Sequence, residues 1–524
     1  MGVSATWNFY IDLTGDGDFA DTDEDITDDV MTADWQIGFS NPFDIVSRAT
    51  TCTLLLSNTA NKYSPEHSSV ATNFTRGKLL KITSTYDSTT RTHFFGWIDE
   101  IRPEAGSKRG QRTEVRLAGY LPRAQRGEMF LEIQKAKTGD EVVEEILGAS
   151  RLYPPGFTNR WILESAIGFG NELGVNTILG EVADYLTSET GKTEFVYIAD
   201  QWSEGVSIYG ALADTTGREH GRIWLDRSGT IQWWNRHHMF LKTSVDTTLN
   251  DTMYDLTYNF GDDVINKTTI TAQPRLVGSS PEILGATNRS IEIAANGNVV
   301  VAYRYRDQTT GSWVGGESAV TPVASTDYTA NSASGGGGTN DTGSVTAAIT
   351  SETATRSEVT YTSILSTPTF LQAGAKIRGT KITDLGTTDI TKQDDDSIVS
   401  FGRQTHKYDY VMDNVVDADN MATFFLSTRK DPRGLVYYTS ISPEQTDALM
   451  TQALTRTVGD RVTVTETQTG VSSDDYYIIG ERWSIAPHSG VRTQWVLESA
   501  TPSFWILNTS NFSELNDTTR IGPV

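Results

Sequence analysis

The chain is 524 residues long, 37% hydrophobic and 21% charged, and holds no apolar run long enough to cross a bilayer. With 43 Lys and Arg against 67 Asp and Glu its formal charge is −24, the wrong sign for gripping a phosphate backbone, so tight nucleic-acid binding is disfavoured. One cysteine, Cys52, cannot form an internal disulfide, and the N-terminus MGVSATWNFYIDL lacks the basic start and apolar centre of a secretory signal, so Sec export is not expected.

Short runs of alternating polarity, rich in Thr, Val, Ile and aromatics and separated by Gly, Asp, Asn and Ser, predict a mainly β chain with a small α+β part. Two similar antiparallel β-barrel or sandwich domains are expected at 1–126 and 393–505. Between them lie a mixed αβ domain at 127–245, connecting strands at 246–275 assigned either to a linker or to the second barrel, and a β insertion rich in Ser, Thr and Gly at 276–392. Residues 506–524 are a C-terminal tail.

In chain order, the first feature is DLTGDGDFADTDED, which can be laid on a calcium loop. Asp12, Thr14, Asp16, Gly17, Asp18 and Asp23 then fall on loop positions 1, 3, 5, 6, 7 and 12. Asp23 is one carbon shorter than the usual bidentate Glu, and strand-like WNFYIDL precedes the loop in place of a helix. Two readings stay open, a hairpin loop stiffened by calcium at Asp12, Asp16, Asp18 and Asp23, or a solvated acidic turn. No other cofactor is expected. Cys52 follows in the apolar run TCTLLLSN and reads as a small buried hydrophobe.

Thr138 and Glu141 form a capping box ahead of Val142, Val143, Ile146 and Leu147, which share one helical face. A second helix is predicted over 177–190, with Ile178, Leu179, Val182, Ala183 and Leu186 as its stripe. Next, GRIWLDRSGTIQWWNR reads as a hairpin turning at Arg227, Ser228 and Gly229. His220, His237 and His238 lie near it, but adjacent strand residues face opposite sides, which argues against a shared metal. Trp224, Trp233 and Trp234 could stack on sugars, though half-buried packing is the commoner use of such residues. The stretch NSASGGGGTNDTG predicts a flexible loop within the insertion, and a third helix is expected with Asp417 as N-cap and Met421, Phe424 and Phe425 inward.

An internal repeat brackets the chain. GKLLKIT, HFFGWIDEIRP and RTEVRLAGY near the start correspond in order and spacing to GDRVTVT, YYIIGERWSIAP and RTQWVLESA near the end. Thr113, Val115 and Leu117 should share one face, as should Thr493, Trp495 and Leu497. No G-x-S-x-G elbow, His-Glu-x-x-His, Walker loop or strand-borne G-x-G-x-x-G is present, so an enzyme is not expected and no catalytic residue is assigned.

The order of these blocks, with GFSNPFDIVSRATTCTLLLSNTANKYSPEH, MYDLTYNFGDDVINKTTITAQPR, DDDSIVSFGR and KDPRGLVYY, resembles the tail hub proteins of tailed bacteriophages, minor tail or tail-tip proteins related in fold to the baseplate hub of contractile tails. The resemblance implies a structural virion protein made in the host bacterial cytoplasm. It would sit at the distal tip of the tail as a homotrimer, beneath a hexameric distal tail protein and around the end of the tape measure protein, with tail-tip or fibre proteins below. DNA would pass through its lumen without specific binding, and no membrane insertion is implied. Two barrels per chain would let three subunits present a pseudo-six-fold ring, with interface residues expected on strands over 77–83 and 459–465. The alternatives are a carbohydrate-binding adhesin and a cell-wall or glycan hydrolase of the tail tip.

Overall fold

The computed structural model describes residues 3–47, 50–105, 111–129, 131, 134–150, 185–199, 202, 205–352, 355–486, 490–500, 504–505 and 520–521. The fold is mainly β, organised around a 12-stranded sheet. Its strands are β1 (Thr6–Ile11), β2 (Val30–Gly38), β3 (Thr51–Ser57), β4 (Leu79–Tyr86), β5 (Thr89–Pro103) and β6 (Arg112–Ala118) from the start of the chain. The others are β7 (Thr247–Asn250), β8 (Asp255–Phe260), β9 (Gly434–Ile441), β10 (Arg461–Glu466), β11 (Val471–Ala486) and β12 (Gly490–Ser499).

These twelve strands are one six-stranded pattern used twice. The first unit runs β1-β4-β5-β6-β3-β2, and the second β7-β10-β11-β12-β9-β8. Numbered within each unit, both orders are 1-4-5-6-3-2. The register agrees as well: Ile98 faces Leu117 and Ile478 faces Leu497, and the pairing shifts immediately after each isoleucine. One strand differs, since β1 runs antiparallel to β4 whereas β7 runs parallel to β10.

Period-2 patterning holds the units together, because alternate residues of most of these strands are buried, β8 being the exception with none. Thr113, Val115 and Leu117 are all interior, as are Thr493, Trp495 and Leu497. Cys52 is buried in β3, and burial pushes its thiol up, as expected of a packing residue. The register corrects the alignment of the repeat, however. Matching Gly96 to Gly480 and Pro103 to Pro487 is four residues out of step with the pairing, which sets Ile98 on Ile478 and Pro103 on Trp483. Cross-strand Ile–Leu contacts decide the register, and the conspicuous glycines do not.

Between the units, the helix Gly139–Ser150 forms as predicted, with the Glu141 carboxylate accepting the Thr138 N–H at 2.8 Å and Val142, Val143, Ile146 and Leu147 interior. The helix predicted over 177–190 fails at its C-terminal end: Leu186–Ser188 is a strand paired parallel to Ile231–Trp234, and 177–184 lie outside the described residues. A later helix, Val415–Arg429, is capped by Asn414, whose side chain accepts the Val416 N–H at 2.7 Å, and not by Asp417. It packs on a mixed sheet of Lys267–Ala272, Thr388–Gln393 and Thr405–Met412.

The Ser-, Thr- and Gly-rich insertion is folded β structure with its own core, built on Leu284, Tyr303, Tyr305, Val359, Tyr361 and Leu371. Its entrance and exit are adjacent, for Arg275 pairs with Asp384 at the start of the antiparallel pair Arg275–Ala286 and Lys376–Asp384. The glycine-rich stretch predicted as flexible is held by one side chain. Asn331 accepts the N–H groups of Ala333 and Gly338 and donates to the carbonyls of Gly336 and Gly338, standing in for a backbone that glycine leaves unconstrained.

Candidate functional site: the unit junction and the open sheet edges

The two units are joined edge to edge inside the chain. β2 pairs antiparallel with β11 from Ala33 opposite Ile485 to Gly38 opposite Gly480, so the twelve strands are continuous. Trp35 lies opposite Trp483, their rings stacked at 5.7 Å with a 6° interplanar angle, and Trp7 meets both edge-on at 5.8 and 5.5 Å. His93 completes this cluster, 4.8 Å from Trp7, with its Nε2 2.7 Å from Ser84 Oγ. Burial, and then the Arg227 and Arg91 charges, hold the His93 pKa well below the ordinary histidine range.

Arg227 is the third part of the junction. The sequence placed it in a hairpin turn, and that turn forms, with Asp226 Oδ1 accepting the Ser228 and Thr230 N–H groups and Gly229 at φ +89°. Its side chain nevertheless points inward. The guanidinium donates to both carboxylate oxygens of the fully buried Glu481 on β11 and to the carbonyls of Leu454 and Arg456. Glu481 also accepts the Trp483 indole N–H at 3.0 Å. The αβ segment is thereby fastened to the second unit through a buried, fully hydrogen-bonded ion pair.

The acidic loop folds back on β1 as a hairpin, with Tyr10 bridging Asp25 and Ile26 N–H donating to the Phe9 carbonyl. Asp12 is buried, and its carboxylate accepts the N–H groups of Gly15 and Gly17. Glu24, also buried, binds the Leu13, Thr14 and Asp21 N–H groups. Of the four predicted ligands, Asp16 and Asp18 come together, joined by Asp21, while Asp12 serves the backbone and Asp23 sits outside the group. All three clustered carboxylates are exposed, an arrangement common on surfaces without any ion.

The histidines do not converge. His220 Nδ1 meets the Tyr408 hydroxyl at 2.9 Å, while His238 stacks on Trp234 at 4.0 Å and pairs with Glu189. Trp224, Trp233 and Trp234 are buried and present no face to a sugar. Behind the hairpin is a cavity of about 110 Å³ lined by His220, Arg222, Arg236, His406, Arg429 and Glu498. Three of the arginines around it are matched by anions, Arg222 with Glu498 at 2.5 Å and Arg429 and Arg433 with Asp263 at 3.5 and 2.8 Å. Burial, then the arginines around it, hold His220 down to about 3. This is a structural polar core.

The strands expected to carry the assembly interface, 77–83 and 459–465, are paired on both edges, β4 by β1 and β5 and β10 by β7 and β11. Such strands have no backbone groups left to offer. Open edges lie elsewhere, on β8, which pairs only with β9 among the described residues, and on β5 beyond Ile98, where β6 covers one side only.

No protein-family model matches the chain, and no curated protein does. Solved structures similar to it include a tail protein from Neisseria meningitidis MC58, at 9% identity and TM-score 0.45 over 94% of this chain and 96% of that one. The 43 kDa tail protein of prophage MuSo2 from Shewanella oneidensis matches at 9% identity and TM-score 0.45 over 95% and 99%. Prophage tail protein gp18 from Listeria monocytogenes EGD-e matches at 8% identity and TM-score 0.40 over 95% and 96%.

Proposed function

We propose that this chain is the subunit of a homotrimeric tail hub, a structural component at the distal tip of a phage tail that joins the tube to the tip. The observation that carries the reading is the repeated 1-4-5-6-3-2 strand order, two equivalent units joined edge to edge in one polypeptide. Three chains of this kind carry six similar units, so one face can meet a hexameric distal tail ring while the assembly keeps three-fold symmetry toward the tip. The tape measure protein would end within the ring, and tip or fibre proteins would attach below. The net charge of −24 suits a channel that DNA crosses without sticking.

No catalytic role is part of the proposal, and the adhesin alternative loses its main feature because the Trp hairpin is interior. Light scattering on the purified protein tests the reading. A species of three times the 57.6 kDa chain mass, with six lobes around a pore by electron microscopy, is expected. A strict monomer at every concentration would refute it.

A further inference from the structure

We propose that copies of this chain associate head to tail by strand addition, the β8 edge of one copy pairing antiparallel with the Glu100–Pro103 edge of β5 in the next, in the register of the internal β2–β11 junction. The inference rests on the tail-hub reading for the number of copies, and on the repeat itself for the contact.

The argument starts from equivalence. β2 and β8 are the second strands of their units, and β5 and β11 the fifth. Trp35-Gln36-Ile37-Gly38 on β2 corresponds to Tyr258-Asn259-Phe260-Gly261 at the end of β8, aromatic, amide, apolar and glycine, with both glycines at positive φ, +84° and +78°. The positive φ matters because Gly38 abuts Ile479 and Gly480, where no Cβ fits. On the other side, the shared register makes Glu100, Ile101, Arg102 and Pro103 the counterparts of Gly480, Glu481, Arg482 and Trp483. Inside the chain, second strand and fifth strand pair. Between chains, the same two surfaces are left open.

The open surfaces look like halves of that junction. Ile37, paired with Glu481 at the junction, is 1% exposed, while its counterpart Phe260 is 69% exposed. Tyr254, just before β8, is 55% exposed. The strand DLTYNF carries neither Lys nor Pro, and its one charge, Asp255, lies at the opposite end from Phe260. The β5 edge is more selective. Glu104 N–H donates to the Arg112 carbonyl on β6, so alternation turns the backbone groups of Ile101 and Pro103 outward, and proline has no N–H to give. The result is a short ladder centred on Ile101, opposite Phe260, which only a partner in the correct register can complete. The contact is heterologous, so it propagates from copy to copy and is satisfied everywhere only when a ring closes.

Cysteine pairing tests the contact. Gln36 opposes Arg482 in the internal junction, which makes Asn259 and Arg102 the opposed pair between copies, in the close non-hydrogen-bonded spacing that a disulfide accepts. The double variant Asn259→Cys/Arg102→Cys should oxidise to covalent multimers on a denaturing gel, while each single variant stays monomeric there, the native Cys52 being buried. Phe260→Asp should abolish assembly while leaving the far-UV circular dichroism of the folded chain unchanged, because Phe260, 69% exposed, packs on little within its own chain. A trimeric wild type that gives no covalent species, and that Phe260→Asp does not disperse, overturns the edge pairing and leaves the hub reading intact. Cross-linked chains from a protein otherwise monomeric would support the pairing and remove the closed trimer.

Discussion

Arg227 and Glu481 show how one residue can outweigh the element that carries it. Glu481 has no route to water and Arg227 little, since the Glu481 side chain is 0% exposed and that of Arg227 11%. Removing one partner leaves the other buried and uncompensated, which costs roughly 3–5 kcal/mol. Arg227→Ala should therefore lower the free energy of unfolding by about that amount in urea titration. A loss below about 1 kcal/mol would mean that water reaches Glu481. His93 acts through pH. Its folded pKa is depressed, so below the unfolded value of about 6.5 the unfolded chain binds a proton that the folded chain does not. Stability is then full above that pH and falls as pH drops, by about 1.4 kcal/mol per unit per such group. His220 works in the same direction. Between pH 7 and 5.5 the wild type should lose more stability than His93→Gln, and equal slopes would remove His93 as a contributor.

Elements were legible wherever a period was long enough to leave one reading. The alternation in β6 and β12 and the capping box at Thr138 are of this kind, each tied to a backbone geometry that admits few others. The apolar residues around Leu186 were not, because a short apolar run serves helix and strand alike, and parallel pairing with Ile231–Trp234 decided between them. The repeat was visible and its Arg112 and Arg492 blocks are in register, but in the middle block the glycine and proline are out of step with Ile98 and Ile478, which set the pairing. Its most telling block went unnoticed. Trp-x-Ile-Gly and Tyr-x-Phe-Gly are four residues each, and only the paired strands show that they occupy the same place. At the candidate site, Asp16 and Asp18 were foreseen as neighbours, whereas the inward turn of Asp12 depends on backbone N–H groups that composition does not reveal.

At the scale of the whole molecule, two six-stranded units form a frame to which everything else is attached. In the first unit the connection between its second and third strands is short, running from Gly38 to Thr51; in the second it runs from Phe260 to Gly434 and carries the whole insertion. The insertion enters at Arg275 and leaves at Asp384, residues that face each other across one strand pair. Neighbours so close can be rejoined by a tight turn with little strain on the frame. A chain lacking 276–383, closed by an Asn-Gly turn, should keep the cooperative melting of the frame and any self-association, and loss of both would show that the insertion is needed for folding. The inserted module is thus a cassette: lineages could exchange it to meet new surroundings while the two-unit frame stays the same.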